Sequence, residues 1–289
     1  MEEDLSEALI GVIGGSGLYE MEELEDVEEV AIDTPFGSPS APFVIGTLSG
    51  KRIAFLPRHG IGHVLMPSEI PFLANIYGFR KLGCEWIISV SAVGSMKEEI
   101  HPGHIVIPDQ FIDLTTKRRS TFFGDGLVVH VSMADPVCSV LSTILQNAAK
   151  ESGAIVHRGG TYVCMEGPQF SSRSESYRYR EWGASIIGMT NMPEAKLARE
   201  AEMSYATIAL STDYDCWHEE EEDVDVESVI ALVKKNAELA RTIITNSISQ
   251  IEGKSPFSEI LKTSIISDLK SISNETLSRL ELLVGKYIN

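Results

Sequence analysis

Two carboxylates two residues apart, Asp213 and Asp215 in Ser211-Thr212-Asp213-Tyr214-Asp215-Cys216-Trp217, directly follow the apolar run Tyr205-Ala206-Thr207-Ile208-Ala209-Leu210. The run reads as a buried strand, and strand carboxyl ends in α/β sheets are where ligands bind. An Asp placed there can hand a proton to a leaving group or accept hydrogen bonds from amino groups. A solvated turn with an Asx cap is the commoner fate of an isolated Asp-x-Asp. What lifts this pair above that fate lies upstream.

Leu9-Ile10-Gly11-Val12-Ile13 reads as another buried strand and runs straight into Gly14-Gly15-Ser16-Gly17. Glycines let the backbone approach an anion, and successive N–H groups can cradle phosphate. The run is neither a Walker A loop nor G-x-G-x-x-G. Ala54-Phe55-Leu56-Pro57 leads into Arg58-His59-Gly60, where a guanidinium fork suits phosphate oxygens and an imidazole adds a donor. Trp86-Ile87-Ile88-Ser89-Val90 continues into Ser91-Ala92-Val93-Gly94-Ser95, and Ser185-Ile186-Ile187-Gly188-Met189 ends in Thr190. Each turn taken alone is weak evidence. Four apolar strands that end in phosphate-type donors, beside a fifth that ends in paired acids, are a pattern.

With Glu166-Gly167-Pro168-Gln169-Phe170-Ser171-Ser172-Arg173 and Met189-Thr190 added, the combination resembles the trimeric purine nucleoside phosphorylase family over residues 10–251. Within it, the chain is most similar to the branch that cleaves 5′-methylthioadenosine. The resemblance implies that Ser16, Arg58, His59, Ser91, Ala92 and Thr190 hold inorganic phosphate. It implies that Phe170, Ser171 and Met189 line the nucleoside pocket, that Asp213 and Asp215 read the purine, and that Val226 and Val229 face its 5′ substituent. His130 would reach into a neighbouring subunit's site. Phosphate is then a co-substrate, and neither cofactor nor metal is implied. Relatives often carry Thr at the positions of Ser16 and Ser91, which keeps the hydroxyl. They tend to have Asn-Tyr where this chain has Pro71-Phe72, which removes one polar contact near the ribose.

Phosphorolysis asks for these groups. The nucleophile is an anion whose pocket wants Arg, hydroxyls and backbone N–H groups rather than acids. The leaving purine gathers negative charge and needs a proton at its imidazole nitrogen, which a protonated Asp213 can supply. For that the Asp213 pKa must be raised, by burial and by Asp215 nearby. An acid pair also prefers a 6-amino to a 6-oxo purine, because a carboxylate accepts from the amino group and repels a carbonyl.

The elements that must position these residues alternate. A helix is predicted over 68–82 with Ser68 as N-cap, another over 136–152 with Asp135 as N-cap, and shorter ones over 173–182 and 193–201. Val226, Val229, Ile230, Val233, Ala237 and Ala240 share one face of a long helix that ends near Ile251. Short β-branched strands fall at 53–56, 105–107 and 162–165. The fold class expected is α/β, a single-domain mixed β-sheet flanked by helices, as in nucleoside phosphorylases. Residues 8–252 form the expected catalytic domain. Residues 253–289 form a two-helix extension packed on the body or on a neighbouring subunit.

The whole chain bounds its partners. Its 289 residues carry a net charge of −18, and 18 of the 42 acids lie in residues 2–29 and 219–227. Such a balance argues against nucleic acid and anionic membranes. No apolar run reaches membrane-spanning length, and Met1-Glu2-Glu3-Asp4 has the wrong charge for a signal peptide, so a cytoplasmic chain is expected. Cys84, Cys138, Cys164 and Cys216 show no C-x-x-C spacing and read as reduced packing residues. Three other readings stay open: a 6-oxopurine nucleoside phosphorylase, a metal-dependent glycosyltransferase using Asp213-Tyr214-Asp215 as D-x-D, and a non-catalytic purine-binding module.

Overall fold

Apolar runs bounded by glycines and hydroxyls become strands and the stretches between them become helices, in a computed structural model that describes residues 9–15, 18, 21–219 and 226–288. The strands are β1 (Ile10–Gly14), β2 (Glu25–Val30), β3 (Phe43–Leu48), β4 (Lys51–Pro57), β5 (Trp86–Ser95), β6 (Ile105–Ile107), β7 (Gln110–Asp113), β8 (Val156–Arg158), β9 (Thr161–Cys164), β10 (Ala184–Gly188) and β11 (Ser204–Asp213). The helices are α1 (Phe72–Lys81), α2 (Ser139–Glu151), α3 (Arg173–Glu181), α4 (Asn191–Glu200), α5 (Val226–Ile248) and α6 (Asn274–Ile288). All the strands join one mixed sheet, as expected.

The sheet is organised around β5. One edge of β5 pairs in parallel with β11, from Ser204↔Trp86 to Ser211↔Val93. The other edge is shared. Parallel β1 covers it from Trp86 to Ser89, and antiparallel β10 arrives from the opposite end to cover Gly94 and Ser95. Between the two, the edge of β5 from Val90 to Val93 has no ladder partner among the described residues. This gap is a seam in the middle of the sheet.

Both faces of the sheet are buried, which is why its central strands read as continuous apolar runs. Val12, Ile88 and Ile208 share an apolar cluster with Leu145 of α2 and Ile244 of α5. Ile13, Ile87 and Ala209 share another with Ile76 of α1 and Leu197 of α4. In β5 and β11 every residue is buried except Ala92 and Asp213, which are half-buried.

Helix starts differ from expectation for local reasons. Ser68 does not cap α1, which begins at Phe72 with Pro71 before it, because a residue preceding proline avoids helical angles. Asp135 and Pro136 do not open α2 either. Cys138 N–H donates to Tyr205 O at 2.9 Å, so the chain stays extended along β11 until Ser139. At α3 the start coincides with expectation, and Ser172 with Glu175 forms a capping box. The segment 253–288 holds one α-helix rather than two. Its first half makes 3₁₀ turns at Ile260–Thr263 and Leu269–Ser271, and Ile265 bridges Val129. Leu261, Leu280 and Leu283 enter the same cluster as the sheet of their own chain.

Candidate active site

Ser91 and Ala92 lie within β5, at the seam, rather than at a strand's end. At the seam one edge of the backbone is not committed to a neighbouring strand, while the other edge pairs with β11. Thr190 meets them from β10 and stands as N-cap of α4, with both hydroxyl residues more than nine-tenths buried. Ser91 Oγ donates to Asn191 Oδ1 at 3.2 Å, and Asn191 Nδ2 donates to Thr207 Oγ1. Ser16 lies outside the described residues.

Arg58 follows β4 into the same region but is turned inward. Its Nε and Nη2 bind Glu194 of α4 at 2.7 and 2.9 Å, its Nη2 also reaches Ser89 Oγ at 2.7 Å, and its Nη1 reaches Val90 O at 3.1 Å. The planar fork expected to grip phosphate is thus filled by a buried carboxylate. A second Nη1 hydrogen is all the guanidinium keeps for an anion. Burial works against its charge, but Glu194 more than compensates and holds it firmly protonated.

His59 is held by its own backbone neighbourhood. Its Nδ1 lies 2.8 Å from Leu65 O, and since a carbonyl only accepts, Nδ1 carries the hydrogen. Burial, with Arg58 and His63 adding to it, pulls the imidazole down to about 4. The ring is therefore neutral near pH 7, and Nε2 is a lone pair that can accept a hydrogen bond but not donate one. Between pH 6.5 and 4 the unfolded chain binds a proton that the folded His59 refuses, so stability falls as pH drops through that window. His59→Gln should flatten this part of the stability curve in phosphate-free buffer. An unchanged acid limb in urea titrations at several pH values would contradict it.

The acid pair is aimed by a bulge. The β11–β5 register slips between Ser211 and Asp213, so Asp213 comes to lie opposite Gly94. Asp213 Oδ1 accepts from Asp215 N–H at 2.7 Å. Asp215 has a φ of 55° and is buried, with the Ser171 and Ser176 hydroxyls beside it. Burial pushes its carboxyl up. The following Trp217 is anchored by Nε1–H to Ser95 O at 2.7 Å, with the Arg180 guanidinium 3.3 Å over its ring. Gly94 makes the close approach possible, because a Cβ there would stand 2.8 Å from Asp213 Oδ1. Gly94→Ala should move the acid and cost kcat/KM about 10²-fold while the fold survives. Wild-type kinetics in that variant would show that the carboxylate's position does not matter.

Ser91 and Gly94 are three steps apart along β5, so the backbone at the hydroxyl and the backbone opposite the acid stand about 10 Å apart.

The sequence profile of the Phosphorylase superfamily matches residues 9–249. The chain belongs to this superfamily. It is 59% identical over 285 residues to the S-methyl-5′-thioadenosine phosphorylase of Geobacter sulfurreducens, covering 98% of this chain and 100% of the relative. It is 52% identical to that of Thermosynechococcus vestitus, covering 97% and 99%. A methylthioadenosine phosphorylase from an antarctic soil metagenomic library superposes with a TM-score of 0.92 at 50% identity, over 96% of this chain and 99% of that one. A variant of the adenosine/methylthioadenosine phosphorylase of Schistosoma mansoni, in complex with methylthioadenosine, superposes with a TM-score of 0.84 at 34% identity, over 90% and 99%.

In this superfamily member the other expected pocket residues are placed unequally. Ser171 is half-buried, with its carbonyl accepting from Cys216 Sγ at 3.3 Å, so it does stand against the acid loop. Met189 is half-buried one residue before Thr190, and Phe170 is 40% exposed. His130 is exposed, on an arm whose backbone donates to Ser264 O. Val226 opens α5 with Val229 in its first turn, but their side chains lie outside the described residues.

Several residues that hold the site were not singled out from the sequence. Arg118 binds the carbonyls of Met189 and Met192 at 2.6 Å and Glu166 O at 2.7 Å, and so ties the Met189 segment to the Glu166 loop. Glu166 accepts from Ser68, Thr116 and Lys117, which outweighs its burial and holds its carboxyl down at about 2. Nothing in Lys117-Arg118-Arg119 distinguishes a buried cation from a solvated basic turn. Glu194 and Asn191 likewise look like ordinary helix-start residues until their distant partners are known.

Proposed function

We infer that this chain cleaves the N-glycosidic bond of 5′-methylthioadenosine with inorganic phosphate, giving adenine and 5-methylthioribose 1-phosphate. The observation that carries the reaction is the acid pair opposite Gly94, three residues along the same strand from Ser91. The identity of the nucleoside rests on relatives of that activity over the full chain. A phosphate oxygen forms the new bond to C1′, the C1′–N9 bond breaks, and its electron pair passes to the purine. Asp213 then gives its proton to the imidazole nitrogen, and Asp213 and Asp215 together read the adjacent 6-amino group.

Thr212 and Asp215 orient the acid for this role. Thr212 O–H donates to Asp213 Oδ2 at 2.6 Å, with Val93 O a longer contact at 3.3 Å, and Asp215 N–H donates to Oδ1 at 2.7 Å. The carboxyl is thus held in one orientation beside Gly94, and the proton it delivers is one it takes up in the reactive complex.

Ser16, Ser91, Ala92, Thr190 and His59 form the phosphate site in this reading, with Arg58 supporting it from beneath. Phe170, Ser171 and Met189 line the nucleoside pocket, and Val226 and Val229 meet the methylthio group. His130, exposed on its arm, belongs to a neighbour's site in a homotrimer. Four cysteines with no disulfide among them suit a reducing cytoplasm.

Incubation with 5′-methylthioadenosine, with and without phosphate, tests the reading directly. Adenine should appear only with phosphate and persist in EDTA, adenosine should be the poorer substrate by about 10²-fold, and sedimentation should give three chains per particle. Full turnover without phosphate would sink the reaction, abolition by EDTA would favour the metal-dependent alternative, and a monomer would sink the trimer.

A further inference from the structure

Tyr162, on β9, is fully buried, yet its hydroxyl makes no hydrogen bond of good geometry among the described residues, with the Ser91 and Thr190 hydroxyls its nearest candidates. A buried O–H without a partner is costly, and native proteins hold few of them. This oxygen lies beside the hydroxyls of Ser91 and Thr190, with Arg58 in electrostatic reach. It fits only because position 188 is glycine. A Cβ there would stand 2.0 Å from Tyr162 Oη and 2.7 Å from Cζ. The end of β10, which delivers Thr190, is therefore shaped around the phenol.

The neighbours differ in what they have to offer. Ser91 spends its single hydrogen on Asn191 Oδ1. Thr190 Oγ1, by contrast, caps nothing at the start of α4, although Thr190 is the N-cap residue. Burial pushes the phenol far above its ordinary range, so it keeps its proton at any working pH.

We propose that Tyr162 is a positioning residue for phosphate: its O–H donates to Thr190 Oγ1, which turns the Thr190 hydrogen toward a phosphate oxygen. This rests on the phosphate site proposed above and adds a residue to it. Tyr162 itself does not touch the anion. A hydroxyl that accepts from behind is left to donate forward, and donation to an anion polarises the whole O–H chain. The ring alone would satisfy a packing role against Phe111, with centroids 5.6 Å apart.

Tyr162→Phe separates the two roles, because it removes the hydroxyl and keeps the ring. Because the ring and its packing are kept, thermal stability should change by no more than one hydrogen bond's worth. Calorimetry with inorganic phosphate alone should show binding weakened about 3- to 10-fold, the worth of a neutral hydrogen bond. The KM for methylthioadenosine should stay put. In a Thr190→Val background, removing the phenol should cost phosphate nothing further. Unchanged phosphate affinity in Tyr162→Phe overturns the proposal. So does a parallel rise in both substrates' constants, or a full further loss in the Thr190→Val background. Wild-type protein that binds phosphate but leaves methylthioadenosine intact would sink the reaction instead, and the Tyr162 comparison would still decide the relay.

Discussion

Arg58→Ala is expected to destabilise the protein by about 3–5 kcal/mol, because it strands the buried carboxylate of Glu194 without its cation. Glu194 is 0% exposed and its oxygens take two guanidinium hydrogens, with Tyr205 O–H as a third donor at 2.8 Å. Seen from the sequence alone, the same substitution should mainly raise the phosphate KM. The structure changes the forecast, since most of the guanidinium is spent inside the protein. Urea denaturation of Arg58→Ala should show a much lower midpoint, and Arg58→Met combined with Glu194→Gln should recover a large part of it. A variant that unfolds like wild type and differs only in phosphate KM would show that the ion pair is not what Arg58 is for.

Asp213→Asn should lower kcat on methylthioadenosine by about 10²- to 10⁴-fold, the usual worth of a positioned acid. The amide keeps the shape and can still accept from Asp215 N–H through its oxygen, so the loop should hold. It cannot deliver a proton. Its NH₂ can instead donate to a 6-carbonyl, so inosine-type substrates should lose far less. Stopped assays on paired 6-amino and 6-oxo nucleosides measure the contrast. Equal losses on both would refute the purine-reading role, and a small loss on methylthioadenosine would refute the acid.

Much of the site was legible because its residues sit on strands whose apolar character is local. β5, β10 and β11 can each be read from a run of consecutive residues, and so can the small or acidic residues that follow or interrupt them. The bulge is different. Nothing in Ser211-Thr212-Asp213 announces that the ladder slips there, yet the slip sets Asp213 opposite Gly94. The seam in β5 is different as well. It exists because β1 stops at one point and β10 arrives from elsewhere in the chain, which turned Ser91 from an expected strand end into a mid-strand donor.

By itself, then, the sequence determined the α/β class, the apolar strands, the acid pair and the family resemblance, since all of these are written in short contiguous patterns. Only the tertiary structure decided the partners of the polar groups. Arg58 meets Glu194 across 136 residues of chain, and Arg118 reaches Met189 across 71. Tyr162 comes to rest against Gly188 and Thr190 from a neighbouring strand. A buried donor or charge takes whichever acceptor the packed fold brings within 3 Å. That choice depends on strand order and register, which no local run of residues encodes.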